Sequence, residues 1–314
     1  MNLKTTFFER ALFLSWYCSK ADCAFCYMST QKNLIRNPRR ARRSFASIFA
    51  EAIISEACGW QIEFLSGGYD SFSMDELVFI AKTIREITGK KQWLNIGVLS
   101  KEELSLLKPY TEGVVGAVEC INPVIRRTVC PSKPLSEILS CFSACDELGL
   151  KKGVTIIIGL GETLKDFERL EDFIRVNRIT RVTFYSLNPH RGTPFKYSPP
   201  IQYYEEWVKK TRRAFPNLWI TAGAWHDKTH YYSRLLRAGA DNITKFPAIK
   251  LFGSRIAQEV EKQVSLGGRN FRGTLTRLPN INWDEEVDKL GVGEEVKQEI
   301  KLKLRAYLQR MKQG

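Results

Sequence analysis

Apolar runs and amphipathic stretches alternate along most of this chain. Strands are predicted at 11–17 (ALFLSWY), 61–66, 92–98, 113–119, 154–160, 181–187, 218–224 and 241–246. Helices are predicted between and after them, at 46–58, 74–88, 101–107, 135–149, 164–176, 203–214, 230–238 and 253–263. Regular strand–helix alternation argues for a parallel sheet, because a parallel neighbour is reached only through a crossover. Eight such pairs argue for an α/β fold closed into a (β/α)8 TIM-type barrel, whose typical size is about 250 residues. An open doubly wound sheet is the rival, but nothing in it requires the count to reach eight. After residue 265 the pattern changes to a loop-like segment and then a basic amphipathic helix, EEVKQEIKLKLRAYLQRMKQG. The expected organisation is a barrel over 1–265, with 266–314 as a short helical extension packed on it.

A barrel of this kind carries its chemistry where the strands end at their C-termini. Cys18, Cys23 and Cys26 follow the first predicted strand, and SGG (66–68) ends the second. ECINP (119–123) ends the fourth and GLGE (159–162) the fifth, while NPHRGTPF (188–195) and WHDK (225–228) follow the sixth and seventh. All of these are expected on one rim.

Composition narrows the chemistry. The chain has 314 residues, 44% of them hydrophobic, enough for one large core. No stretch approaches the 18 or so apolar residues of a membrane span. The start, MNLKTTFFERALFLSWYC, is faintly like a signal peptide, but Glu9 and Arg10 interrupt its apolar run, and a cytoplasmic protein is expected. Eight cysteines are too few for a secreted disulfide scaffold. In a reducing compartment, close spacing points instead to metal or redox chemistry. The net charge of +14 favours an acidic partner.

In WYCSKADCAFCYMS (16–29), three cysteines fall within nine positions and no fourth lies nearby. A structural zinc site normally needs four closed ligands. An iron–sulfur cluster is the other consumer of close thiolates. With three protein ligands, a four-iron cluster keeps one iron open for something else to bind.

This three-cysteine loop, with an aromatic residue (Phe25) before its last cysteine, resembles that of the radical S-adenosylmethionine (SAM) superfamily. The superfamily's usual spacing is Cys-x3-Cys-x2-Cys, whereas here it is Cys18-x4-Cys23-x2-Cys26. LSGGYD, containing Ser66, Gly67 and Gly68, resembles the glycine motif that holds the SAM amino group. VECINPVIRRTVCP resembles the segment whose glutamate, here Glu119, reaches the bound cofactor. VTIIIGLGET, with Gly159 and Glu162, resembles the motif lining the adenine pocket. The resemblance covers roughly residues 8–265 and implies a [4Fe–4S] cluster on Cys18, Cys23 and Cys26. It also implies SAM on the open iron, and reductive cleavage to a 5′-deoxyadenosyl radical that abstracts hydrogen from unactivated carbon.

Within the superfamily, GLGETLKDFERLEDFIR, ECINPVIRRTV and AGADNITKFP most resemble the branch of biotin synthase, lipoyl synthase, the hydrogenase maturase and methylornithine synthase. The sulfur-inserting members carry a second, sacrificial cluster. Cys120 and Cys130 are the candidates to begin one here, against the alternative of incidental buried thiols. Cys141 and Cys145, one helical turn apart, are expected to be core residues unless they turn toward the rim, and Cys58 is expected to be structural.

The basic run IRNPRRARRS (35–44), with Arg36, Arg39, Arg40, Arg42 and Arg43, is by default a solvated face. Alternatively it docks an acidic lipoyl-type carrier. Lipoyl synthesis on an octanoylated carrier is therefore the favoured activity, alone or with a second radical SAM subunit, and with a ferredoxin-type reductant. A biotin synthase-like or other small-molecule enzyme is the runner-up, and a zinc-stabilised RNA-binding protein the distant third. Arg191 and Thr193 are expected to shape the substrate mouth. His226 is a candidate ligand or acid/base group, though hydrogen-bonded loop histidines are commoner. His190 and His230 are the other histidines, and Lys245 is given no role.

Overall fold

A computed structural model describes residues 3–35 and 37–313. The strands are β1 (Lys4–Phe7), β2 (Glu9–Phe13), β3 (Gln61–Ser66), β4 (Gln92–Asn95), β5 (Thr111–Glu119), β6 (Lys151–Ile158), β7 (Arg181–Ser186), β8 (Trp219–Gly223), β9 (Asn242–Thr244) and β10 (Arg269–Arg272). The helices are α1 (Tyr27–Gln31), α2 (Phe45–Ala57), α3 (Met74–Thr88), α4 (Lys101–Leu107), α5 (Pro123–Val129), α6 (Leu135–Leu148), α7 (Phe167–Val176), α8 (Ile201–Ala214), α9 (Tyr231–Ala238), α10 (Ala248–Leu251), α11 (Arg255–Leu266), α12 (Trp283–Asp288) and α13 (Glu294–Lys312). Among the described residues no helix is long and apolar enough to cross a membrane.

β2 to β9 form one parallel sheet in sequence order. A single parallel bridge, Phe8 to Ile243, joins its two ends, so the sheet curls into a nearly closed eight-stranded barrel ringed by helices. Local chemistry marks the helix ends. Ser73 with Glu76 and Ser100 with Glu103 form capping boxes at the starts of α3 and α4, and Gly149 closes α6 in the left-handed conformation.

The first barrel strand begins two residues earlier than its apolar run and stops at Phe13. Beyond it the chain bends away, and Ser15 pairs with Arg42 in an antiparallel bridge. Hydrophobicity through Leu14–Tyr17 therefore reflects loop packing and not strand. The parallel pair β1–β10, register Lys4 to Arg269, joins the first strand to the segment that follows α11 in a separate two-stranded sheet, and no local pattern foretells it. α13 lies along α2, where the Tyr307 hydroxyl meets Ser47 at 2.7 Å.

The barrel interior departs from the usual filling of branched aliphatics. Outward residues such as Val182, Phe184, Ile220 and Ile243 are buried beneath the helices. Their strand neighbours point inward, since successive side chains alternate faces, and many are polar. At the floor, Glu9 of β2 accepts hydrogen bonds from Arg181 of β7, Trp219 Nε1 (3.0 Å) and Thr221 Oγ1 (2.7 Å) of β8, and Asn242 Nδ2 (2.7 Å) of β9. Above it, Glu63 of β3 accepts from Tyr185 (2.6 Å) and Thr244 (2.5 Å).

Glu9→Leu removes the carboxylate that faces Arg181, which is itself buried. Stranding one partner of a buried pair is expected to remove about 3–5 kcal/mol of stability. Urea unfolding checks this, and an unchanged midpoint would contradict the role given to Glu9.

Candidate active site

Five non-glycine residues among those described have φ in the left-handed region: Ala21 (+33°), Asp70 (+57°), Glu119 (+62°), Arg178 (+52°) and Lys245 (+75°). Each such residue carries about 1–3 kcal/mol of strain and persists only where its surroundings impose it. Arg178 precedes β7, at the opposite end of the barrel. The other four follow β2, β3, β5 and β9, on the C-terminal rim.

The cysteine loop runs from the end of β2 into α1. Cys18, Cys23 and Cys26 are all free thiols; Cys23 is buried and the other two are partly exposed. The loop is fastened on two sides. Ala24 N–H donates to Val129 O at 2.9 Å, and on the glycine-loop side Ser19 N–H donates to Tyr69 O (3.2 Å) and Ser71 Oγ to Tyr17 O (3.0 Å). A Cβ on Gly68 would strike the Tyr17 carbonyl oxygen and the Cys18 Cβ, so only glycine lets the β3 loop lie against the cysteine loop. A Cβ on Gly67 meets only ordinary contacts, and Ser66 O receives Leu14 N–H at 2.7 Å.

Cys23 sits in a small apolar cluster with Cys120, Val129, Cys130, Leu160 and Leu187, against which Phe25 packs. A hydrogen bond from Cys130 holds the Cys23 thiol down to about 7 against the opposing effect of burial, with help from the Lys133 charge. The same contact, with burial, pushes Cys130 up. Burial raises Cys26 and pushes Cys120 up to about 11.

Three thiols carried on one loop and free of disulfides fit the donor set of a four-iron cluster. Among the described residues no three His, Cys, Asp or Glu side chains close around a single ion. That is the expected contrast, because a cubane spreads its thiolates over separate irons.

Cys120 and Cys130, placed by sequence in a second cluster, are brought together with Cys23 but gather no further ligand among the described residues. Cys141 and Cys145 do not turn toward the rim; they stay in the main core beneath α6 with Ile138 and Phe142. Cys58, also in that core, is pushed up to about 12 by burial alone.

Glu119, at the end of β5, accepts from Thr155 Oγ1 at 3.2 Å and faces the buried Lys133 ammonium at 3.6 Å. Burial alone would lower Lys133, but Glu119 and the neighbouring thiols outweigh it, so the ammonium keeps its proton. Glu162 turns back on its own loop, where its carboxylate receives the N–H groups of Gly159 (2.6 Å) and Leu160 (2.8 Å). Its contact is thus with the loop that carries Gly159, whose φ is +110° and whose missing side chain leaves room for Pro199 and Leu187.

Across the mouth, Lys245 places its ammonium 4.7 Å from the centroid of the Tyr185 ring. A Cβ on Gly223 would lie 2.6 Å from Tyr185 Cδ1 and 2.9 Å from Lys245 Cγ, so that stack also depends on a glycine. A cation–π contact at an exposed site is worth about 0.5–1 kcal/mol, which does not offset the strain at Lys245.

His190 lies beside Lys245; burial first and that charge second lower its pKa, favouring neutral imidazole. Tyr27 packs on His190 (5.8 Å) and the half-exposed Trp16 on Tyr27 (6.0 Å), forming an aromatic border. Thr193 closes the turn by donating to His190 O at 2.8 Å, while Arg191 is exposed. His226 and His230 pack beside Trp225 and Tyr231.

Four residues of the mouth were not singled out for a role by sequence: Glu63, Lys133, Tyr185 and Lys245. Glu63 and Tyr185 carried a usable signal, as polar groups at alternate positions within buried strands. Lys133 and Lys245 carried none.

The basic run divides. Arg42 pairs with Glu76 (2.6 Å) and stacks on Phe72, and Arg43 pairs with Glu51 (2.6 Å) and donates to Phe13 O and Ser47 O. Arg39 and Arg40 remain exposed, and Arg36 lies outside the described residues.

Comparison with known proteins agrees with this geometry. The model of the radical SAM superfamily matches residues 17–174. A protein of Methanocaldococcus jannaschii, described only as uncharacterized, is 42% identical over 288 residues, covering 91% of this chain and 80% of its own. A biotin synthase of Thermotoga neapolitana is 24% identical over 80% of this chain and 86% of its own. Among solved structures, methylornithine synthase superposes with a TM-score of 0.65 at 17% identity, covering 77% of this chain and 72% of its own, a likeness of fold.

Glu63 also makes a pH prediction. Burial, with Glu9 nearby, raises it from 4.5 to about 7. The folded state therefore holds this proton more tightly than the unfolded one. The resulting stability is fully present below pH about 4.5 and lost as pH rises through about 7, at most about 3 kcal/mol. Urea unfolding at pH 5 and pH 8 should show a larger loss in the native protein than in Glu63→Gln. Parallel profiles would count against a protonated Glu63.

Proposed function

The chain belongs to the radical SAM superfamily, and from that premise we propose that it is an enzyme acting on a small polar molecule held in the mouth of the barrel. The observation that carries this reading is one of placement. The three-thiol loop, the strained Glu119 with Lys133, and the Tyr185–Lys245 stack all lie at the C-terminal ends of barrel strands. Cys18, Cys23 and Cys26 would hold a [4Fe–4S] cluster which, with SAM bound, would supply radical abstraction of hydrogen from unactivated carbon.

The chain's own residues do the positioning. Gly68 lets the β3 loop approach the cysteine loop, which supports backbone groups at Ser66–Gly68 as holders of the SAM amino group. Glu119 would supply a carboxylate to the same ligand, aimed by Lys133 and Thr155. The Gly159 loop, held by Glu162, forms the adenine side. Phe25 and the apolar cluster behind Cys23 shield the thiolates from water.

A second reading is sulfur insertion of the lipoyl or biotin type. The likeness to biotin synthase supports it, and the +14 charge with exposed Arg39 and Arg40 suits an acidic octanoylated carrier, with or without a second radical SAM subunit and a ferredoxin-type donor. It would draw on Cys120 and Cys130 to begin the second cluster. The small-molecule reading is preferred because Arg42 and Arg43 are committed to internal partners.

Anaerobic reconstitution tests both. The small-molecule reading expects about four irons and four sulfides per chain, and a second cluster would add to both counts. Replacing Cys18, Cys23 and Cys26 together with alanine should abolish the cluster and SAM cleavage, and 5′-deoxyadenosine from that variant would refute the assignment.

Glu119→Gln should keep its iron while binding SAM roughly tenfold more weakly, the scale of one charged hydrogen bond. Iron loss in that variant would contradict a role in holding SAM.

A further inference from the structure

Lys245 is a feature of the mouth that the proposed function leaves without a task. Its backbone is strained at φ +75° where β9 ends, and its side chain is exposed. Among the described residues, no carboxylate lies within ion-pair distance of its ammonium. The nearby lysines differ: Lys133 faces Glu119 and Lys228 is paired with Asp227.

Three strands cooperate to hold this unpaired charge in place. Tyr185 of β7 offers its ring as a platform, and Gly223 of β8 gives up its side chain so that ring and lysine can stack. Glu63 of β3 fixes the platform by accepting the Tyr185 hydroxyl, and Thr244 fixes Glu63 in turn. The Glu63 carboxylate is thereby engaged by two hydroxyls. His190 completes the surroundings as a neutral imidazole able to donate or accept one hydrogen bond. A positive point charge, seated on an aromatic ring at the mouth and without a counter-ion among the described residues, suits an anionic group brought in by a ligand.

We propose that Lys245 is a specificity-determining residue whose ammonium, seated on Tyr185, receives a carboxylate or phosphate of the small molecule on which the enzyme acts. This rests on the reading of the mouth as a small-molecule site and deepens it by naming the substrate class as anionic. The positive φ fixes the direction in which the side chain leaves the strand. Gly223 and Tyr185 are positioning residues for it.

The test is equilibrium binding to the reconstituted, SAM-loaded protein, followed by calorimetry, with succinate, inorganic phosphate and the neutral analogue succinamide as probes. At least one anion should bind more tightly than succinamide. Lys245→Gln should weaken that binding at least about tenfold, the scale of one charge-assisted hydrogen bond, and Lys245→Arg should retain most of it. Gly223→Ala should weaken it too, by displacing the stack while leaving the ammonium present. Succinate binding alone assigns a carboxylate and phosphate binding alone a phosphate; either supports the proposal. The proposal falls if neither anion binds better than succinamide, or if Lys245→Gln binds as the native protein does. It also falls if Lys245→Gln weakens SAM itself, which would place Lys245 in the cofactor's site. None of these measurements needs turnover, so failure here leaves SAM cleavage by the native protein as a separate result.

Discussion

The Glu9 carboxylate at the barrel floor is the interaction on which the rest of the architecture depends. Between β2 and β9 the backbone supplies only one bridge, Phe8 to Ile243, so the ring is weakest at that seam. Side chains complete it. Asn242 receives Phe7 N–H at 2.9 Å and donates to Glu9 at 2.7 Å, while Arg181, Trp219 and Thr221 bring β7 and β8 to the same carboxylate. The carboxylate is tolerated there because its oxygens accept from four side chains, which also specify which strands meet.

The polar interior has a consequence at the other end of the barrel. A lumen packed with Val, Ile and Leu would be solid and indifferent to ligands. Here Glu63, Tyr185 and Thr244 occupy the middle of the lumen and support a mouth bordered by Glu119, Lys133 and Lys245. Strain follows the same division, since four of the five left-handed non-glycine residues lie on the C-terminal rim. Glycine works there in a complementary way: at Gly68 and Gly223 a missing side chain lets two functional segments touch. The floor thus carries stability and the rim carries conformations that only chemistry would favour.

Charge is distributed on similar lines. The surplus of +14 suggests a broad docking face, but part of it is structural. Arg43 and Arg10 neutralise the buried Glu51, and Arg42 stacks on Phe72 while pairing with Glu76. Burial alone would raise Glu51, and the two guanidinium groups reverse the shift and lower it. A run of basic residues in sequence therefore does not make a basic patch of its full length, because Arg42 and Arg43 turn to internal acids while Arg39 and Arg40 stay exposed.

Much of the fold was legible in the sequence because its signals are local. Strand and helix periodicities act within a few residues, and counting eight repeats was enough to name the barrel. The cysteine loop and the glycine segment after β3 were legible for the same reason, since Cys18, Cys23, Cys26 and Gly68 form contiguous patterns. The β1–β10 pair was not, because its two partners lie far apart along the chain and neither is strongly patterned. Nor was the commitment of Arg42 and Arg43, the inward turn of Glu162, or the meeting of Cys120 and Cys130 behind Cys23. Lys245 is the sharpest case. A lysine at a strand end is ordinarily solvated, and only the closed ring sets it over Tyr185, with Gly223 beside it and no acid in reach. Sequence determines what depends on neighbours along the chain; tertiary structure decides which side chains from different strands share one enclosed space, because barrel closure alone sets those distances.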